Sequence, residues 1–127
     1  MCREIVHLRK SPKPLGPYSQ AVRANGFVFV SGQLPIVPST GELVTGDVSA
    51  ATKQCLDNVA AVLEDAGLSF GDVVSVTVFL ADMADFAKMN EVYAGYFGGS
   101  PPARVTVQVA ALPKNASIEI QVTAAEK

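Results

Sequence analysis

Two spacings of apolar residues alternate along the chain. Between about Asp47 and Gly67, Leu56, Val59, Val62, Leu63 and Ala66 recur every three or four residues. That spacing predicts an amphipathic helix. Asp47 or Ser49 can cap its start, and Gly67 can end it. "DVVSVTVFLAD" follows, dense in β-branched residues, and predicts a strand. Asp82 then suits the N-cap of a second helix carrying Phe86, Met89, Tyr93 and Phe97. Gly98-Gly99 ends it, and Pro101-Pro102 blocks continuation. "ARVTVQVAAL" and "ASIEIQVTA" switch to a period of two. Val105, Val107 and Val109 face one way, and Arg104, Thr106 and Gln108 the other. Ile118, Ile120 and Val122 likewise oppose Glu119, Gln121 and Thr123.

The N-terminal third is more broken. "KSPKPLGPYSQ" holds three prolines and a glycine and reads as a loop. "SQAVRANG" reads as a strand ending at the hairpin signal Asn25-Gly26. "FVFVSGQ" is a strand with apolar residues on both sides, so both of its faces are expected to be covered. "PIVPSTGELV" is another loop. With a short first strand near "EIVHL", the order is β-β-β-α-β-α-β-β, a single α+β domain over residues 1–127. Strand–helix–strand units call for parallel neighbours and right-handed connections. Two helices can cover one face of such a sheet. The other face mixes apolar and small polar residues and is expected to meet copies of itself.

Composition narrows the chemistry. The net charge is −2, without any cluster of five or six Lys/Arg, so a polyanion such as RNA is not favoured as a partner. No window is apolar enough to span a membrane, and the N-terminus lacks the pattern of a secretion signal. Cys2 and Cys55 sit at unrelated positions, which fits a reducing compartment and predicts a cytoplasmic protein. His7 is the single histidine, and no Cys or carboxylate spacing suits a metal. No nucleophile-elbow or phosphate-loop signature occurs.

Two charged residues stand out on the alternating strands. Arg104 follows the prolines as the first polar-side residue of its strand. It is either a strand-edge charge paired to an acid, the commoner fate of an arginine, or a forked receptor for a carboxylate. Glu119 lies between two isoleucines. It is either exposed, bridged to Arg104, or placed in a cleft. A simple hairpin turning near residues 112–116 would set the two about 13 Å out of register. They would then share a small ligand only through another strand order or across a subunit boundary. Tyr18 could offer a hydroxyl, or simply pack on the core. Ser31-Gly32 leaves backbone approachable, or is a plain strand end. Asn90 suits a helix–sheet hydrogen bond, and Cys55 a small core residue.

"PARVTVQVAALPKNASIEI" closely resembles the C-terminal signature of the Rid/YjgF family, the reactive-intermediate (enamine/imine) deaminases. "GPYSQAV", "VSGQLP", "CLDNVAAVLEDAG", "VFLADMADFAKMNEVY" and "YFG" resemble the family in the same order, over nearly the whole chain. The resemblance implies a chorismate-mutase-like α+β fold, a six-stranded mixed sheet with two helices on one face. It implies a homotrimer with a central barrel and sites in the clefts between subunits. By position, Arg104 corresponds to the carboxylate-binding arginine and Glu119 to the glutamate that positions a hydrolytic water. Tyr18, Ser31, Gly32, Asn90 and Thr106 match other pocket positions. Many bacterial members carry cysteine where this chain has Thr106, a change that imine hydrolysis, needing no thiolate, should tolerate. The implied activity is cofactor-free hydrolysis of 2-iminobutanoate and 2-iminopropanoate to 2-keto acids. The rivals are an endoribonuclease or translation inhibitor and a non-catalytic metabolite binder.

Overall fold

The computed structural model describes residues 3–127, so Cys2 lies outside the described residues. Six strands and two helices follow the expected order: β1 (Glu4–Ile5), β2 (Ala21–Ala24), β3 (Phe27–Gln33), α1 (Val48–Asp65), β4 (Val73–Leu80), α2 (Phe86–Phe97), β5 (Ala103–Gln108) and β6 (Ile118–Ala125). β2 and β3 are joined through Asn25 and Gly26, both at positive φ (52° and 82°), as a tight hairpin turn requires. Asp47, not Ser49, caps α1, its carboxylate accepting from the Ser49 N–H. α1 ends with Gly67 at φ 78°, while Leu68 and Gly67 donate to the Leu63 and Glu64 carbonyls. This is the paired-bond helix stop that favours glycine. Asp82 caps a short 3-10 turn (Met83–Asp85), which runs on into α2.

The sheet order is β1-β2-β3-β6-β4-β5. Only β4 and β5 are parallel, bridged by α2. The expectation of parallel neighbours therefore holds for β4–α2–β5. It fails for β3–α1–β4, because β6 inserts antiparallel between β3 and β4. β6 earns the centre by composition: Ile118, Ile120, Val122 and Ala124 are all fully buried. They pack with Val28, Val30, Val76, Val78 and Leu80 under Leu56, Val59, Val62 and Leu63 of α1. Each such side chain contributes about 1.5–3 kcal/mol on burial. Among the described residues no layer covers the opposite face, so within one chain β3 is covered on one side. Phe27 and Phe29 are 41% and 46% exposed, and Val105 and Val107 of β5 are 57% and 37% exposed on the same side.

The long loop before β2 is tied to α1. Asp65 accepts the backbone N–H groups of Lys10 and Ser11, both at 2.9 Å, and the Lys10 ammonium pairs with Glu64. Burial works to raise the Asp65 pKa, but these backbone donors outweigh it and hold it below its ordinary 3.8. Its contribution is therefore present above about pH 4 and lost as pH falls through the lowered value. Asp65→Ala should cost about 2–3 kcal/mol at pH 7 in urea unfolding, and the difference should shrink in acid.

Candidate active site

One pocket forms on the open face of the sheet, at its β3–β6 end. Leu15, Tyr18, Ser31, Gly32, Leu34, Pro113, Lys114 and Glu119 line it. The register between β3 and β6 shifts between Val30 and Gln33, so Ser31 and Gly32 bulge opposite Gln121. Glu119 points from β6 across this bulge onto Gly32. A Cβ on Gly32 would stand 2.5 Å from Glu119 Oε2 and 2.9 Å from its Cδ. Glycine is needed here for space, since a side chain would displace the carboxylate. Desolvation by this half-buried position raises the Glu119 pKa above its ordinary 4.5.

The rest of this pocket is held in place by committed polar groups. Ser31 donates its N–H to the Gln20 carbonyl (2.8 Å) and its hydroxyl to the Ser19 carbonyl (2.5 Å). Ser31 thus anchors the segment that carries Tyr18. Buried Gln33 donates to Gln20 Oε1 (2.9 Å), and Gln20 donates to the Pro12 carbonyl (3.2 Å). Tyr18 Oη accepts the Leu15 N–H at 3.2 Å. Asn58 of α1 donates to the carbonyls of Leu34 (3.0 Å) and Ile36 (2.9 Å), fixing the segment after β3. A second hollow shares Leu15, Tyr18, Gly32 and Leu34 with the first and reaches Ile36 and Asn58. Lys114, at the pocket rim, has a positive φ of 58° in the turn Pro113–Asn115.

Arg104 and its neighbours lie elsewhere. Arg104 pairs with Val76 across β4–β5, and Thr106 with Val78. Both therefore point to the helix side, while Glu119, opposite Phe79, points to the open side. The bridge to Arg104, one of the alternatives for Glu119, is not formed. β4 lies between the two strands, which also removes the simple hairpin and its register. Among the described residues no carboxylate pairs with Arg104. Its guanidinium carbon lies 4.7 Å from the centre of the Tyr93 ring and 5.6 Å from that of Phe86. Asn90 shares this face of α2, four residues after Phe86 and three before Tyr93. Thr106 Oγ1 and the Tyr93 hydroxyl are buried without hydrogen-bond partners.

The seven expected site residues thus fall into two groups. Tyr18, Ser31, Gly32 and Glu119 meet in one pocket. Asn90, Arg104 and Thr106 gather between α2 and the edge strand β5, on the other face. The sequence pattern missed Asn58, the Gln20–Gln33 pair, Phe86 and Tyr93, which act by holding distant segments. His7 is exposed, and no group of three or more His, Cys, Asp or Glu residues that could hold a metal occurs among the described residues. No helix among them is long and apolar enough to cross a membrane.

A family model described as endoribonuclease L-PSP matches residues 8–126. The chain belongs to this family, the Rid/YjgF family. It is 57% identical to a RutC family protein of Pyrococcus horikoshii over 96% of this chain and 97% of that one. It is 46% identical to the mouse 2-iminobutanoate/2-iminopropanoate deaminase over 98% of this chain and 92% of the relative. The crystal structure of E. coli TdcF with bound serine matches with a TM-score of 0.91 at 42% identity, over 98% and 99% of the two chains.

Gly32→Ala should push the Glu119 carboxylate into solvent. Its pKa, followed by NMR titration, should then fall back toward the ordinary glutamate value. An unchanged Glu119 pKa would mean that the bulge, not the missing Cβ, sets its environment.

Proposed function

We propose that the chain hydrolyses small 2-imino acids to 2-keto acids and ammonium, with 2-iminobutanoate and 2-iminopropanoate as substrates. The observation that carries this is that the chain holds both a guanidinium with no acid beside it among the described residues, Arg104, and a desolvated carboxylate, Glu119. The first suits a substrate carboxylate, which it would grip through two parallel N–H bonds. The second suits a base whose pKa sits nearer neutrality. The deaminase names of curated relatives and the serine bound to a relative's structure are consistent with an amino-acid-derived substrate.

Arg104 and Glu119 leave the sheet from opposite faces, so one chain cannot place both on so small a ligand. We infer that a second copy completes the site. The α2–β5 edge of one protomer would face the Tyr18–Glu119 pocket of the next, in a homotrimer closed over the apolar open face. In each cleft, Glu119 takes a proton from water as the water oxygen bonds to the carbon of the protonated imine (C=NH2+), whose π pair moves onto nitrogen. It returns the proton to the nitrogen. The C–N bond breaks as the C=O bond forms, and the hydroxyl proton leaves with the nitrogen as ammonium. Thr106 Oγ1, buried and unpartnered, is available to the bound carboxylate from the same strand as Arg104.

The test generates imines with an amino-acid oxidase and follows keto-acid release. Wild type should accelerate it, and Arg104→Ala and Glu119→Gln should each lose at least about a hundredfold. Mixing the two inactive variants, unfolded and refolded together, should restore about a quarter of the activity if sites span two chains. No acceleration by wild type, or RNA degradation in its place, would overturn the reading. The acid limb of the rate profile should lie above the ordinary glutamate value, because burial raises the Glu119 pKa. The same shift means that ionised Glu119 destabilises the fold at neutral pH. Glu119→Gln should therefore raise Tm at pH 7, by an amount that shrinks as pH falls through the raised Glu119 pKa and vanishes below the ordinary glutamate value.

A further inference from the structure

Two arginines in this chain meet very different surroundings. Arg23 is fully engaged, with Glu126 at 2.8 Å, Glu4 at 3.3 Å and the Ala66 carbonyl at 3.0 Å. Arg104 is half-buried, yet its neighbours are two aromatic rings and a thioether. Tyr93 lies 4.7 Å and Phe86 5.6 Å from its guanidinium carbon, and Met89 Sδ is 4.0 Å from Nη1. All three come from one face of α2 at helical spacing, facing the edge strand β5. The bed is itself braced: Phe97 packs on Tyr93 at 4.5 Å between ring centres, and Phe70 on Phe97 at 5.1 Å.

We propose that Phe86 and Tyr93 are positioning residues for Arg104, an aromatic bed that takes the place of a counter-carboxylate. The physical point is charge. A carboxylate beside Arg104 would fix the guanidinium equally well but would neutralise it and occupy its fork. Ring faces attract the cation through their quadrupole, leave its N–H edges free, and leave the full positive charge for an incoming anion. The bed also replaces water on the apolar face of the guanidinium, so the ion is oriented before the ligand arrives. The ring does this work, and the Tyr93 hydroxyl is dispensable for it. The inference rests on Arg104 being the carboxylate receptor.

Binding of 2-oxobutanoate to the assembled protein, measured by calorimetry, tests both levels separately. Arg104→Ala should abolish binding. Phe86→Leu and Tyr93→Leu should weaken it by about 3- to 30-fold. In turnover, KM should rise while kcat stays within about twofold. Tyr93→Phe, which keeps the ring, should recover most of the loss. Phe86 is 38% exposed, so Phe86→Glu can fold normally, checked by Tm and oligomeric state. It supplies the missing counter-ion and should bind far more weakly than Phe86→Leu. If Phe86→Leu and Phe86→Glu both bind like wild type while Arg104→Ala does not, the bed is overturned and the receptor stands. If Arg104→Ala binds like wild type, the receptor falls and the bed with it.

Discussion

The alternation of side chains along paired strands is the constraint on which the other features depend. β6 is locked between β3 and β4 with Ile118, Ile120 and Val122 inward. A slip of one residue would turn all three outward and lose several kcal/mol of burial. That same register assigns Glu119, opposite Phe79, to the open face. On the neighbouring pair, Val76 and Val78 are fixed inward, so Arg104 and Thr106, their partners on β5, go to the helix side. No interaction of the charged residues themselves is needed to decide where they point. The core decides it, and the candidate site inherits the result.

Several buried polar residues of the chain are well satisfied, and a few groups at the candidate site are not. Asp65, Asn58, Gln20 and Gln33 are buried, and each uses its hydrogen-bonding groups to tie a loop to a helix or strand. By contrast, Glu119 is desolvated against Gly32, Arg104 has no acid beside it among the described residues, and Thr106 Oγ1 and Tyr93 Oη are orphaned. Each orphaned group costs about 1–3 kcal/mol. Ser11 Oγ is unpartnered as well, but the others gather at two spots, where on the proposed function stability would be given up for binding.

Local pattern made the elements legible. The three-to-four spacing from Leu56 to Ala66, the Asp47 and Asp82 caps, Asn25-Gly26 and Gly67 each reported a feature within a few residues of itself. Strand order was not legible, because β6 comes from the far end of the chain and displaces the expected β3–β4 pairing. The hairpin register for Arg104 and Glu119 failed for that reason. Site residues with a family motif around them were named from the sequence, and the fold sorted them into two groups. Asn58, Phe86 and Tyr93 read as ordinary helix residues, since what they hold is brought to them only by tertiary packing.

A division of the site between two faces has a consequence for how activity and assembly are linked. On the two-chain reading, a lone protomer holds a base pocket without its anion receptor at one end. At the other it holds a receptor without its base. The open face also leaves Phe27, Phe29, Val105 and Val107 in water. Association that covers these side chains is favoured by the hydrophobic effect whether or not ligand is present. On that reading the same closure would bring Arg104 of one copy to Glu119 of another. A substrate carboxylate bridging the two halves would bind only the assembled form and so stabilise it by mass action. Packing of the open face and occupancy of the cleft then reinforce one another. Substitutions at Phe29 or Val105, which touch no reacting atom, would lower activity through the fraction assembled, with the deficit shrinking as protein concentration rises.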